Sequence, residues 1–155
     1  MLQAFLTAMI PIGELRLSIP VAIVSAGVPW YQALAVSILG NMVPVLILVP
    51  GLERISKVAA SVSKPAGRLL EWRAKRLRVT HHARFQRYGA LALLLFVAVP
   101  LPFTGAWTGS LLAWAFHVPN RAAILLIGAG VCIAGSVVTA LTVAGIKISI
   151  LLAGP

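Results

Sequence analysis

One acid and one base stand two residues apart in an otherwise uncharged stretch, Pro11-Ile12-Gly13-Glu14-Leu15-Arg16-Leu17-Ser18-Ile19-Pro20. Proline and glycine interrupt a helix there and release backbone N–H and C=O groups beside two opposite charges. Such a group can bind a proton, a small ion or an anionic headgroup. It can equally neutralise itself and cap a broken helix, and residue types alone leave both readings open. A second break, Val99-Pro100-Leu101-Pro102-Phe103-Thr104-Gly105-Ala106-Trp107-Thr108-Gly109, has no ionisable group. It offers carbonyls unpaired by Pro100 and Pro102, the Thr104 hydroxyl, the Trp107 indole N–H, and close approach at Gly105 and Gly109. That chemistry suits a gate or a selectivity surface, or else a tightly packed turn.

Asn41, after Gly40 and before Pro44, puts an amide into an apolar run, where it needs a partner across a helix bundle. Gly128, Gly130, Ala134 and Gly135 in a later run permit close helix approach. The substrate- or ion-binding candidates are therefore Glu14, Arg16 and Pro20, then Asn41, then Pro100, Pro102, Thr104, Gly105, Trp107 and Gly109. No Ser/His/acid, Cys/His, paired-carboxylate or phosphate-loop constellation occurs, and no enzyme is expected. Cys132 is the one cysteine, and His81 and His82 are adjacent, about 100° apart on a helix, so neither a metal nor a cofactor is expected.

The elements that hold these residues belong in a membrane. Of 155 residues, 60% are hydrophobic and 10% charged, with a mean hydropathy of +0.99. That apolar surface exceeds what one small water-facing domain buries. No Lys, Arg, Asp or Glu occurs over residues 17–52, 88–120 or 122–146. Charge collects between them: residues 53–87 hold ten basic and two acidic side chains. In a membrane protein this marks a cytoplasmic loop, and nucleic acid is not the expected partner. Apolar stripes in this segment predict helices lying on the inner leaflet, with Arg73, Lys75, Arg76 and Arg78 facing lipid headgroups. The first basic residue is Arg16, which argues against a cleaved signal peptide.

A helix needs about 20 residues to cross the hydrocarbon. Residues 30–50 and 119–148 satisfy this and predict two full spans. Residues 1–28 and 88–117 are broken near their middles into arms of roughly 16 to 20 Å, which reach mid-membrane and return. At an offset of 90, Val28-Pro29, Ala33 and Gly40 match Val118-Pro119, Ala123 and Gly130. The expectation is an all-α integral membrane protein, a single domain of two inverted repeats. Each repeat is a re-entrant hairpin plus one full span, and the basic segment 53–87 joins them. Both termini then lie outside the cell membrane.

Over nearly its whole length the chain resembles the small multidrug export family, a relative of the DedA and SNARE-associated superfamily. The resemblance rests on Pro11-Ile12-Gly13-Glu14-Leu15-Arg16 with Ile19-Pro20, on Gly40-Asn41 with Pro44, on Tyr88-Gly89, and on Pro100-Leu101-Pro102 with Thr104-Gly105-Ala106-Trp107-Thr108-Gly109. Leu17-Ser18 and Phe103 depart from the family pattern, which has small residues at the first place and glycine at the second. The resemblance implies a multi-pass protein of the inner membrane with Glu14 and Arg16 in one hairpin and Trp107 in the other. Two transport readings follow: a proton- or ion-coupled carrier using Glu14, or a flippase for an anionic lipid such as a polyprenyl phosphate, using Arg16. A non-transporting membrane scaffold is the third. With two spans per chain, a homodimer is expected to enclose a pathway, with membrane lipid and a small-molecule or lipid substrate as partners.

Overall fold

A computed structural model describes residues 2–11, 13–62, 89–100 and 104–153. Among these residues every element is helical: α1 (Leu2–Met9), α2 (Glu14–Pro20), continued by a π-helical turn (Val21–Ser25), α3 (Trp30–Val62), α4 (Gly89–Ala98), α5 (Ala106–Ala115) and α6 (Asn120–Ala153). Pro102 and the basic residues Arg73, Lys75, Arg76 and Arg78 lie outside the described residues, as do His81 and His82.

Two helices are long and apolar enough to cross a membrane, Trp30–Ile55 with 26 residues and Asn120–Ser149 with 30. At 1.5 Å per residue they extend roughly 39 and 45 Å, more than the ~30 Å of hydrocarbon. Their outward faces carry large apolar side chains, with Leu39 and Ile47 each 64% exposed and Leu125 74%. An apolar exterior of this kind suits lipid rather than water. Helix α3 does not stop near residue 50. It passes Pro44 and Pro50 and runs to Val62, so the start of the basic segment continues this helix instead of opening a separate one. A proline removes one rung of the helical ladder, and the rungs on either side carry the helix past it.

The two long helices are antiparallel. Asn120 Nδ2 donates to Glu53 Oε2 at 3.1 Å, so the beginning of α6 lies beside the far part of α3. Further along, Gly128 faces Met42, and Gly135 faces Leu34 and Ile38. The short helices fill the remaining sides. α1 lies on α3 where Gly40 leaves no room for a side chain, because a β-carbon there would be 3.1 Å from Ala8 Cβ and closer still to the Phe5 carbonyl. α4 lies on α6 in the same manner: a β-carbon at Gly130 would be 2.7 Å from Val97 Cβ and 3.0 Å from the Leu94 carbonyl. The second arms cross over, α2 packing on α6 and α5 on α3.

Both second arms end alike. Gly27 (φ 62°) and His117 (φ 55°) take left-handed conformations. The next residue's N–H then turns back to the helix, Val28 to Ala22 O at 3.0 Å and Val118 to Ala113 O at 2.9 Å, before Pro29 and Pro119. The first closure is one residue longer because the π-helical turn after Pro20 accommodates an extra residue. Proline 20 has no N–H for the Arg16 carbonyl, and the helix widens just beyond it. Burial repeats as well. Residues 31–41 and 121–131 alternate between buried, half-buried and exposed in the same order, Ala33, Ser37, Gly40 and Asn41 corresponding to Ala123, Ile127, Gly130 and Val131. One apolar cluster, including Ile19, Val45, Val97 and Ile127, runs through the centre where both hairpins meet the long pair.

Candidate functional site

The tips of the two hairpins touch, and the charged residues of one meet the broken backbone of the other. Helix α2 starts at Glu14, whose φ of 41° is unusual for a residue with a side chain. The Gly13 and Glu14 N–H groups both turn back to the Ile10 carbonyl, at 3.3 and 3.1 Å, which closes the tip and aims Glu14 out of the hairpin. A non-glycine residue held there costs on the order of 1–3 kcal/mol, a cost the surroundings must offset.

The offset is visible across the interface. Glu14 Oε1 accepts from the Trp107 backbone N–H at 3.4 Å. This is a first-turn donor of α5 with no partner inside its own helix, so Glu14 caps α5 from the opposite hairpin. Arg16 does the converse. Its Nη2 donates to the Thr104 carbonyl at 2.7 Å and to Thr104 Oγ1 at 3.1 Å, just before α5 begins. The Trp107 indole then donates to the Met9 carbonyl at 3.0 Å, where α1 ends. Thr104 Oγ1 also donates to Val99 O at 2.7 Å, tying the second tip to itself. Glu14 and Arg16 make no direct ion pair; each is satisfied by the facing hairpin.

Between these contacts lies a cavity of about 10 Å³, room for about one water molecule. Glu14, Arg16, Asn41, Thr104, Gly105 and Pro100 contribute to its wall, and Val97, Val131 and Val138 complete it with apolar surface. Asn41 is 1% exposed, and its Oδ1 has no hydrogen-bond partner. Arg16 uses Nη2 on Thr104, and a guanidinium has five N–H donors, so others remain for a ligand.

Six of the ten candidates from the sequence thus share one cavity, and Trp107 stands beside it through its backbone N–H. Two others are elsewhere. Gly109 packs under α4, where a β-carbon would be 2.6 Å from Val97 Cγ2. Pro20 shapes the far half of α2 and does not line the cavity. Two buried polar residues escaped the sequence reading, Ser18 and Ser37, both fully buried with unpartnered hydroxyls. A signal for Ser18 existed, since it lies one helical turn beyond Glu14.

No curated protein and no solved structure matches the chain. Residues 14–137 match the family model described as "Putative small multi-drug export protein", a stretch that runs from Glu14 through α3 and the second hairpin into the first half of α6. The chain belongs to the small multidrug export family.

Proposed function

We propose that this chain is a proton- or ion-coupled membrane carrier whose coupling site is the Glu14–Arg16 cavity between the hairpin tips. The observation that carries the reading is the crossed pairing: the carboxylate caps α5 while the guanidinium holds Thr104. Movement of either hairpin must break or remake those bonds, so occupancy of Glu14 by a proton or cation is tied to the position of the opposite hairpin. Family membership supports an export function for this architecture.

Each hairpin is read as re-entrant, and the two halves as inverted repeats. The matched close approaches at Gly40 and Gly130 and the repeated burial of residues 31–41 and 121–131 support this. The helices of each hairpin, such as the 8 residues of α1 and the 10 of α5, are too short to cross. In this arrangement residues 53–87 face the cytoplasm and the termini the outside, in the cytoplasmic membrane. Two copies enclose the substrate pathway between their apolar faces.

A DedA-like lipid carrier would bind a phosphate at Arg16. A cavity with room for one water favours a proton or small ion instead. Proteoliposomes test the choice: proton uptake driven by a panel of cationic drugs, against translocation of a fluorescent polyprenyl phosphate analogue. Drug-driven proton flux that Glu14→Gln abolishes, in protein that melts as wild type does, establishes the carrier. Lipid translocation lost in Arg16→Ala without drug flux replaces it with the flippase. Silence in both assays leaves a scaffold.

A further inference from the structure

The two charges of the cavity lie halfway along both long helices. Asn41 is near the middle of the Trp30–Ile55 span and Ala134 near the middle of Asn120–Ser149, and both line the cavity with Glu14 and Arg16. Hydrocarbon at that depth offers no hydrogen bonds, so every polar group there needs a partner close by. Arg16 uses Nη2 on Thr104, which leaves the N–H donors of Nη1 and Nε. The Glu14 carboxylate takes the Trp107 N–H on Oε1 and keeps further acceptor capacity. Asn41 is 1% exposed, and its Oδ1 is unpartnered. A spare donor and two spare acceptors thus belong to the wall of one small space. Left unpaired, each is costly.

The three needs are complementary but the residues do not meet them directly, since Glu14 and Arg16 make no ion pair and Asn41 bonds neither. With both charges present the set is neutral. The group that satisfies it is therefore neutral too, accepting once and donating twice. A cavity of about 10 Å³ is about the least that holds one water, and a buried water makes about three hydrogen bonds.

We infer that this cavity is a binding site for one resident water, which accepts from Arg16 and donates to the Glu14 carboxylate and to Asn41 Oδ1. The water turns two separate charges into a bridged ion pair and ties that pair, carried on α2, to the long helix α3. Asn41 is in this way a positioning residue: it acts on the guanidinium and the carboxylate through the water, and so on the alignment of the first tip with α5. Val97, Val131, Ala134 and Val138 supply apolar wall and no competing partner. The second half of the chain has no counterpart, because the residue matching Asn41 at the offset of 90 is Val131, which is also buried. The two halves therefore differ in chemistry at a place where they agree in burial.

The sign of one melting shift tests the site. Asn41→Val gives α3 the side chain that α6 already carries at the matching position. An amide that bonds nothing is a buried unsatisfied group, and its replacement by an apolar one raises the melting temperature. An amide that holds the water gives the opposite result, a fall of roughly 2–4 °C, because Arg16 and Glu14 lose their bridge. Asn41→Gln carries its amide one methylene further, into the place of the water, and is expected to recover most of that loss. A second measurement uses the unaltered site. Asn41 and Asn120 are the two asparagines of the chain, so 15N-asparagine labelling in lipid bilayers gives two side-chain amide signals, which Asn120→Gln assigns. Magnetisation is expected to pass from water to the Asn41 amide at short mixing times, and at 1% exposure only the cavity can supply it. A raised melting temperature in Asn41→Val, or no transfer from water to Asn41, overturns the site; the transfer alone decides if Asn41→Val does not fold. The site does not rest on coupling. Transfer from water together with absent drug-driven flux keeps the water and removes the carrier reading.

Discussion

The Glu14 carboxylate occupies the space that a β-carbon on Gly105 would need. Gly105 is extended (φ 167°, ψ −163°), a conformation open to any residue, so its role is room and not backbone freedom. The first hairpin's acid can reach the N-terminus of α5 only because this position has no side chain.

Gly105→Ala is therefore expected to push Glu14 off the Trp107 N–H. The loss of a charge-assisted cap and the forced shift together cost about 1–3 kcal/mol, and coupled flux falls at least as far as in Glu14→Gln. Gly51→Ala is the control, because nothing lies within 4 Å of a β-carbon there and the residue is inside α3. That change stabilises by up to about 1 kcal/mol through helix propensity. Thermal melts of both in detergent separate the effects; equal melting temperatures would contradict the steric account.

Arg16→Lys tests the geometry of the guanidinium. Arginine reaches the Thr104 carbonyl and hydroxyl from one nitrogen and keeps further donors for the cavity. Lysine keeps the charge and not the planar fork. The expectation is a variant that folds but loses most transport, with Arg16→Ala destabilised by about a further 1–3 kcal/mol because the charge-assisted bonds to Thr104 are lost. Wild-type flux in Arg16→Lys would reduce Arg16 to a point charge.

Much of this site was legible before any coordinates. Proline and glycine at residues 11–13 and 100–105 break helices for steric reasons that hold in any fold, and an isolated Glu-Leu-Arg in an apolar run stands out by charge alone. The crossed pairing was not legible. Nothing local says that Glu14 caps α5 instead of pairing with Arg16, since that depends on two tips meeting from opposite ends of an antiparallel helix pair. Ser18 and Ser37 were hidden for a related reason. A serine in a helix often bonds its own backbone, and only the packed structure reveals that these two are buried and do not. The onset of charge at Glu53 does not mark a helix end, because a charge run constrains where a chain meets water and not where its backbone hydrogen bonding stops, and α3 continues to Val62.

The Trp107 indole joins the second hairpin to the Met9 carbonyl at the end of α1. Trp107→Phe keeps most of the apolar bulk and removes that N–H. One buried hydrogen bond is worth about 0.5–1.5 kcal/mol, and the loss falls on the contact between tips rather than within a helix. Melting temperature is expected to fall modestly, while transport falls further because the tips lose alignment. Identical transport in Trp107→Phe and the wild type would make the indole a packing group only.

Gly40 and Gly130 provide the last prediction, which tests whether the two halves are equivalent. Each glycine admits a facing helix so closely that a β-carbon would press on backbone, the Phe5 carbonyl in one half and the Leu94 carbonyl in the other. Backbone cannot rotate away as a side-chain tip can, so Gly40→Ala and Gly130→Ala should each destabilise by about 1–3 kcal/mol despite the better helix propensity of alanine. Gly128 is the contrast, because its nearest neighbour is the flexible end of Met42 at 3.5 Å, and Gly128→Ala should be neutral or stabilising. Melting of the three variants in the same detergent decides the point. Losses at 40 and 130 of similar size, with none at 128, are what two equivalent hairpin–span contacts require. A large loss at only one of the pair would mean that the repeated burial pattern does not extend to repeated energetics.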